Sequence, residues 1–228
     1  MRNIIDESPE DKFVITQVAA VSYIDKKDLR NKDLLDIGCG HGWFELFSIR
    51  NGVHKVTGLD ISEELLSVAK KHISDKKVSF KKGSAIKLPF NDRSFDTIVA
   101  IEVLEHIPPA TETVMFREIN RVLKKNGVLY LSTPSNSFFS VILDPAWWLM
   151  GHRHYSKQQL TKYGSENNLT LVKSKVIGGW WSLIAGLNMY IAKWLFHRKR
   201  FFEDFFIKKL LNETDHGFLD IRVKYEKL

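Results

Sequence analysis

Asp33-Leu34-Leu35-Asp36-Ile37-Gly38-Cys39-Gly40-His41-Gly42-Trp43-Phe44 is the stretch on which the fold turns. A short apolar run ends in three glycines at alternate positions. The apolar spacing then becomes helical, with Phe44, Phe47 and Ile49. The pattern predicts strand, tight turn and helix. Glycine is needed where the backbone takes positive φ or approaches a ligand closely. A helix start leaves amide hydrogens free and carries a partial positive charge, which favours anionic groups. A strand bearing Asp36 and followed by such a loop can therefore hold a small charged ligand. The competing reading is a Gly-rich turn without a ligand, since short glycine motifs are common.

Outward from this loop, strands and helices alternate. Residues 9–24 read as a helix and 25–32 as a charged connector. Lys55–Asp60 reads as a second strand and Val78–Gly83 as a third. Phe95–Ile101 is a near-continuous apolar strand, which suits a sheet covered on both faces. Ser62 is a plausible N-cap for a helix reaching about Ile73, and Glu112–Lys125 is an amphipathic helix. Val128–Thr133 reads as the fifth strand, Leu169–Ile177 as the sixth and His216–Leu228 as the last. This alternation predicts βαβ units and an α/β fold, a Rossmann-like sheet of seven mostly parallel strands with an antiparallel last strand. In such sheets ligands bind at the carboxyl ends of the strands. The Gly loop, Asp60, Ser84 and Glu102 all fall at such ends, so residues far apart in sequence should converge.

Composition limits the alternatives. The chain has 228 residues, 44% apolar and 27% charged, with a formal charge of +7. It is expected to form a single domain over 1–228 with a globular core. Cys39 is the only cysteine, which excludes an internal disulfide and disfavours a zinc cluster. The polar, acidic first ten residues do not read as a signal peptide, so a cytoplasmic setting is expected.

Asp60 lies 22 residues after Gly38, where a carboxylate can accept both hydroxyls of a ribose. Two ligand classes then compete, a dinucleotide and S-adenosylmethionine. The spacing Gly38-x-Gly40-x-Gly42 departs from the dinucleotide pattern. Asp36 would repel a pyrophosphate but can serve an ammonium. Both features favour the amino-acid tail of S-adenosylmethionine.

With these residues in place the chain resembles the class I S-adenosylmethionine-dependent methyltransferases. Leu34–Gly42 resembles their first motif and Val56–Ser62 their second. Leu88-Pro89-Phe90-Asn91-Asp92-Arg93-Ser94-Phe95-Asp96, followed by Glu102-Val103-Leu104-Glu105-His106-Ile107, resembles the small-molecule branch that includes ubiquinone-biosynthesis O-methyltransferases. The resemblance spans about residues 30–176. It implies that Gly38, Gly40 and Gly42 shape the methionine site with Asp36 near the ammonium. It further implies that Asp60 binds ribose, Ile61 packs on adenine, Ser84 and Ala85 border the adenine edge, and Ile101 and Glu102 border the methionine end. The family often carries an acidic residue where Ser84 stands.

Methyl transfer is an in-line displacement that needs alignment and desolvation. A hydroxyl acceptor gains from a general base, for which His106 is the first candidate and Glu105 the second. Residues 134–155 are expected to form a substrate-side loop, with Trp147, Trp148, His152, His154 and Tyr155 as acceptor contacts. No third ligand is evident beside His152-x-His154, so no metal site is expected.

Residues 178–215 exceed what the core needs. They are apolar, aromatic and basic, which predicts a helical insertion that is a lid, a homodimer surface or a contact with an anionic membrane. The expected activity is methylation, O-methylation first, of a small hydrophobic or lipid-linked acceptor. The competing readings are a nicotinamide-dependent dehydrogenase, a nucleic-acid methyltransferase and a non-catalytic cofactor-binding protein. Nucleic acid is disfavoured because no basic-aromatic stripe occurs in the first 130 residues.

Overall fold

The computed structural model describes residues 21–144, 151–196, 201–211, 213 and 217–228. The expected helix over 9–24 lies almost wholly outside these residues, as do Trp147 and Trp148. The elements run β1 (Asp33–Ile37), α1 (Trp43–Arg50), β2 (Lys55–Asp60), α2 (Glu63–His72), β3 (Val78–Lys82), β4 (Phe95–Ile101), α3 (Glu112–Val122) and β5 (Leu123–Pro134). They continue with α4 (Phe138–Leu143), α5 (Lys157–Ser165), β6 (Leu169–Ile177), α6 (Trp180–Phe196), α7 (Glu203–Leu211) and β7 (Asp220–Lys227).

Strand alternation explains why the sheet is covered on both faces. On β1, Leu35 and Ile37 enter one apolar cluster and Leu34 the other. On β4, Ile98 and Ala100 join the first and Val99 the second. On β5, Leu129 and Leu131 face one side, Val128 and Tyr130 the other. Helix α3 covers the first face with Met115, Phe116, Ile119 and Val122, at the helical spacing of three and four. Phe44 of α1 packs into the second cluster.

The strand order is β3-β2-β1-β4-β5-β7-β6. Strands β1 to β5 are parallel, and β7 runs antiparallel to both β5 and β6. The order reverses between β1 and β4, so the crevice above their carboxyl ends is the place for a ligand.

The junction of α3 and β5 differs from the sequence expectation. Helix α3 stops at Val122 rather than Lys125, and β5 begins at Leu123. Leu123 turns extended, with φ −76° and ψ 134°, and pairs with Phe95. Lys124 then reaches Asp33 and Asp96, at 3.1 and 2.9 Å. Pairing with the sheet outweighs the helical propensity of these residues.

Candidate functional site

The loops after β1 and β4 meet at the switch point. Gly38 has φ +75°, and a Cβ there would lie 2.5 Å from Val103 Cγ2. Only glycine fits both the backbone and the space. Gly40 has φ +55°, and a Cβ there would meet nothing within 4 Å, so its surface faces open space. Gly42, with φ +92°, is the N-cap residue of α1.

Asp60 ties this loop to the end of β2. Its Oδ2 accepts the Gly40 N–H at 2.9 Å, and its Oδ1 accepts the Ser62 N–H at 2.8 Å. Each carboxylate oxygen has a second lone pair for a ligand hydroxyl. Ile61 follows with 73% of its surface exposed, an apolar side chain standing open beside the crevice. Ser84 bridges to Lys87 just beyond β3, and Ala85 packs against the core.

Beneath the loop lies a pair of acids. Asp36 is 3% exposed and Glu45, in the first turn of α1, is fully buried. Burial pushes the Asp36 carboxyl well above its ordinary range, and the negative charges of Glu45 and Asp60 push it further. Burial likewise raises Glu45 to about 8, and neither of its oxygens has a hydrogen-bond partner. Sequence reading missed Glu45. The available signal was Gly58 on β2, whose missing side chain leaves the space that the Glu45 carboxylate occupies.

A second acidic group closes the β4 side. Glu102 takes φ +54°, and its carboxylate accepts the Ser132 hydroxyl. Burial, and then the charge of Glu105, raises Glu102 to about 8. Burial raises Glu105 to about 7, while its Oε2 accepts the Thr133 hydroxyl at 3.0 Å. Burial also raises Asp220 of β7 to about 8. His106 is half-exposed, and partial burial with His152 and Arg153 nearby lowers its pKa, which favours the neutral imidazole.

The segment Gly151–Tyr155 is clamped onto this loop. Arg153 donates to the carbonyls of Leu104, Glu105 and Ile107 and pairs with the Glu112 carboxylate. The Tyr155 hydroxyl donates to Glu112 at 3.0 Å and sits 3.2 Å from the Leu104 carbonyl. The clamp sets the His152 ring 4.9 Å from the His106 ring. The two sequence-adjacent histidines separate: His152 faces Glu105 and His106, whereas His154 is buried with Nε2 3.3 Å from Asp144. The sequence pattern paired His152 with His154 and could not show the partners supplied by the β4 loop.

Glu102, Asp144, His152 and Asp220 line a pocket of about 170 Å³, whose apolar wall includes Leu183 and Leu187 of α6 and Leu219. The segment after β6 thus builds one side of the cavity. Polar groups at the floor and aliphatic walls suit a small, mainly apolar ligand with a polar end.

Comparisons with known proteins agree with this geometry. Residues 35–131 match the family described as "Methyltransferase domain". The ubiquinone biosynthesis O-methyltransferase of Nitrosospira multiformis is 35% identical over 130 residues, 54% of this chain and 53% of that protein. The protein of the same name from Pelagibacter ubique is 30% identical over 160 residues, 64% of this chain and 65% of its own. The match therefore spans between half and two thirds of these relatives' length. An S-adenosylmethionine-dependent methyltransferase structure from Mesorhizobium loti superposes with a TM-score of 0.67 at 17% identity, covering 93% of this chain and 98% of that one. The geranyl diphosphate C-methyltransferase of Streptomyces coelicolor, solved with Mg2+, geranyl diphosphate and S-adenosyl-L-homocysteine, gives 0.68 at 15% identity, covering 93% and 78%. At these identities the structures show the shared fold alone.

Proposed function

We propose that the protein, whose residues 35–131 match the family described as "Methyltransferase domain", methylates a small, hydrophobic or lipid-linked acceptor at oxygen, with S-adenosylmethionine as the donor. The observation that carries the reading is an apolar-walled pocket lined by Glu102, which directly follows β4 and so stands at the switch point beside the Gly loop held by Asp60.

The residues fit the cofactor. Glu45 is buried with both oxygens unpartnered, and the groups that act on Asp36 are themselves carboxylates. A ligand carrying an ammonium and a sulfonium supplies the positive charge this site lacks. Asp60 has lone pairs left for ribose hydroxyls, and Ile61 offers an apolar surface to a base. When bound, the cofactor supplies an electrophilic methyl group. Glu102, whose carboxyl lies above its ordinary range, lines the pocket on the side of the Gly loop. His106, held toward the neutral imidazole, and Glu105, raised to about 7 by burial, are the groups able to take the acceptor proton.

The acceptor class rests on α6. Its residues Trp180, Ile184, Leu187, Ile191 and Leu195, spaced four, three, four and four, are 40–73% exposed and form one apolar stripe. Leu187 belongs to both this stripe and the pocket wall. Beside it, Phe202 and Phe205 are exposed, and Lys209 Nζ stands 4.9 Å from the Trp181 ring centroid. Among the described residues no helix is long and apolar enough to cross a membrane. An apolar stripe flanked by lysines instead suits a helix lying in an anionic bilayer surface. Such a contact would open the pocket toward a lipid-held acceptor.

The test is co-sedimentation with vesicles containing phosphatidylserine. Binding should weaken at high salt, and Lys208→Glu with Lys209→Glu should abolish it. No recovery with either anionic or neutral vesicles would remove the membrane from the account, and equal recovery with both would remove the lysines' part in it.

A further inference from the structure

Helix α6 forms a wall of the acceptor pocket without being held by the core. Its residues Ser182, Leu183, Gly186 and Leu187 line the pocket. Among the described residues, none from α6 joins either core cluster, and Ala185 and Ala192 are its buried apolar side chains. Two alanines bury little area, so hydrophobic packing fixes the position of this wall only weakly.

A distant carboxylate supplies what the core does not. Glu213 lies beyond α7, 31 to 34 residues after its partners. Its carboxylate accepts the N–H groups of Gly179 at 3.2 Å, Trp181 at 2.8 Å and Ser182 at 2.9 Å, and the Ser182 hydroxyl donates to it at 3.0 Å. The amides at a helix start have no partner within the helix, and a negative charge is favoured there. Helices α2, α4 and α5 carry a local cap, in Ser62, Ser137 and Ser156. Helix α6 follows Gly178-Gly179, neither of which has a side chain to cap it. A Cβ on Gly179 would stand 2.8 Å from Glu213 Oε1, so glycine keeps this approach open. The base of the insertion is closed separately, where the Phe218 and Leu219 N–H groups donate to the Gly178 and Ile177 carbonyls. Gly178, at φ +77°, is the turn between that base and α6. The base can therefore stay closed while α6 moves, once the carboxylate clasp is open.

We propose that Glu213 is a positioning residue for the acceptor: its carboxylate holds the first turn of α6, and with it Ser182 and Leu183, against the pocket, and so sets how tightly the acceptor is bound. The part that concerns the acceptor rests on the methyl-transfer reading, whereas the clasp itself does not. Glu213 is not among the residues lining the pocket, so it acts through Ser182 and Leu183 and governs acceptor binding rather than the chemical step.

The experiment compares the full chain with Glu213→Ala and with the double variant Glu213→Ala, Gly179→Asp. The second change gives α6 a local cap in the space Glu213 vacates, yet does not tie α6 to the end of the insertion. Hydrogen exchange reads the clasp without cofactor or acceptor. Residues 182–188 should exchange about 2–30-fold faster in Glu213→Ala, the scale of a lost helix cap, with β4 and β5 unchanged. Transfer of methyl label from S-adenosylmethionine into a lipid extract, measured against extract concentration, reads the acceptor. Half-saturation should move at least about threefold higher in Glu213→Ala, with the plateau and the cofactor affinity within about twofold of the parent. In the double variant the exchange should slow again while half-saturation stays raised. Half-saturation unchanged in Glu213→Ala would overturn the proposal. Half-saturation restored by the local cap would also overturn it, by making Glu213 a helix cap only, as would a plateau that falls in step with cofactor affinity. Absence of label transfer by the parent protein is a failure of the methyltransferase reading; the exchange measurement still decides the clasp, and exchange unchanged in Glu213→Ala would refute it.

Discussion

Asp60→Asn is the sharpest perturbation of the cofactor crevice. The wild-type carboxylate accepts two backbone N–H groups, from Gly40 at 2.9 Å and Ser62 at 2.8 Å. The amide keeps one acceptor and turns its other end into a donor facing an N–H. Hydrogen bonds to charged groups are worth about 1.5–3 kcal/mol each. Losing one and setting donor against donor should cost about 2–3 kcal/mol of stability. For a chain of this size that corresponds to a Tm lower by roughly 4–12 °C. The same change loosens the loop bearing Gly38 and Gly40 and removes a lone pair needed for a ribose hydroxyl. S-adenosylmethionine affinity should then fall about 10–100-fold, or about 1.4–2.8 kcal/mol. Calorimetric titration measures the affinity, and a thermal melt without cofactor measures the stability. A lowered Tm with affinity changed less than twofold would make Asp60 a loop tether only, and the reasoning that places ribose there would be wrong.

Arg153→Ala should destabilise the protein by about 3–5 kcal/mol, because Glu112, only 8% exposed, would be left buried without its cation; a urea midpoint shift equivalent to less than 1 kcal/mol would contradict the clamp. The pH dependence of the cofactor-free protein follows from the raised carboxyls. Glu45 holds its proton up to about 8 and Glu105 up to about 7, whereas an unfolded chain releases both near 4. Between these limits the native state binds more protons, so stability should be greatest below about pH 4.5 as far as these groups decide it, and fall as pH rises toward about 8. The Tm at pH 8.5 should lie below that at pH 6, and Glu45→Gln should reduce the difference; a Tm that rises over this range would refute the assignment of these groups as buried and uncompensated.

Much of this architecture is legible in the residues. The switch from apolar run to Gly38-x-Gly40-x-Gly42 marks β1 and α1, and the near-continuous apolar run of β4 marks a strand with two covered faces. Asp60 and Glu102 are readable as candidate site residues because Asp60 ends β2 and Glu102 directly follows β4. The misplaced end of α3 has a tertiary cause, since Leu123 and Lys124 keep helical spacing yet gain more from Phe95, Asp33 and Asp96. Glu45 looks in sequence like an ordinary acid in a first helical turn, and its burial depends on Gly58 across the layer. His152 meets Glu105 only because Arg153 spans from one loop to the other. Such contacts between distant segments leave no local pattern to read.

The central claim is that the crevice above β1 and β4 holds S-adenosylmethionine for transfer to an apolar acceptor. The most direct measurement incubates the protein with cofactor labelled in its methyl group and a cell extract, then separates lipid from aqueous phases. The account predicts protein-dependent label in the lipid phase, lost in Asp60→Asn and competed by S-adenosylhomocysteine but not by NAD. Tighter binding of NAD than of S-adenosylmethionine, with no label transferred to any phase, would contradict it.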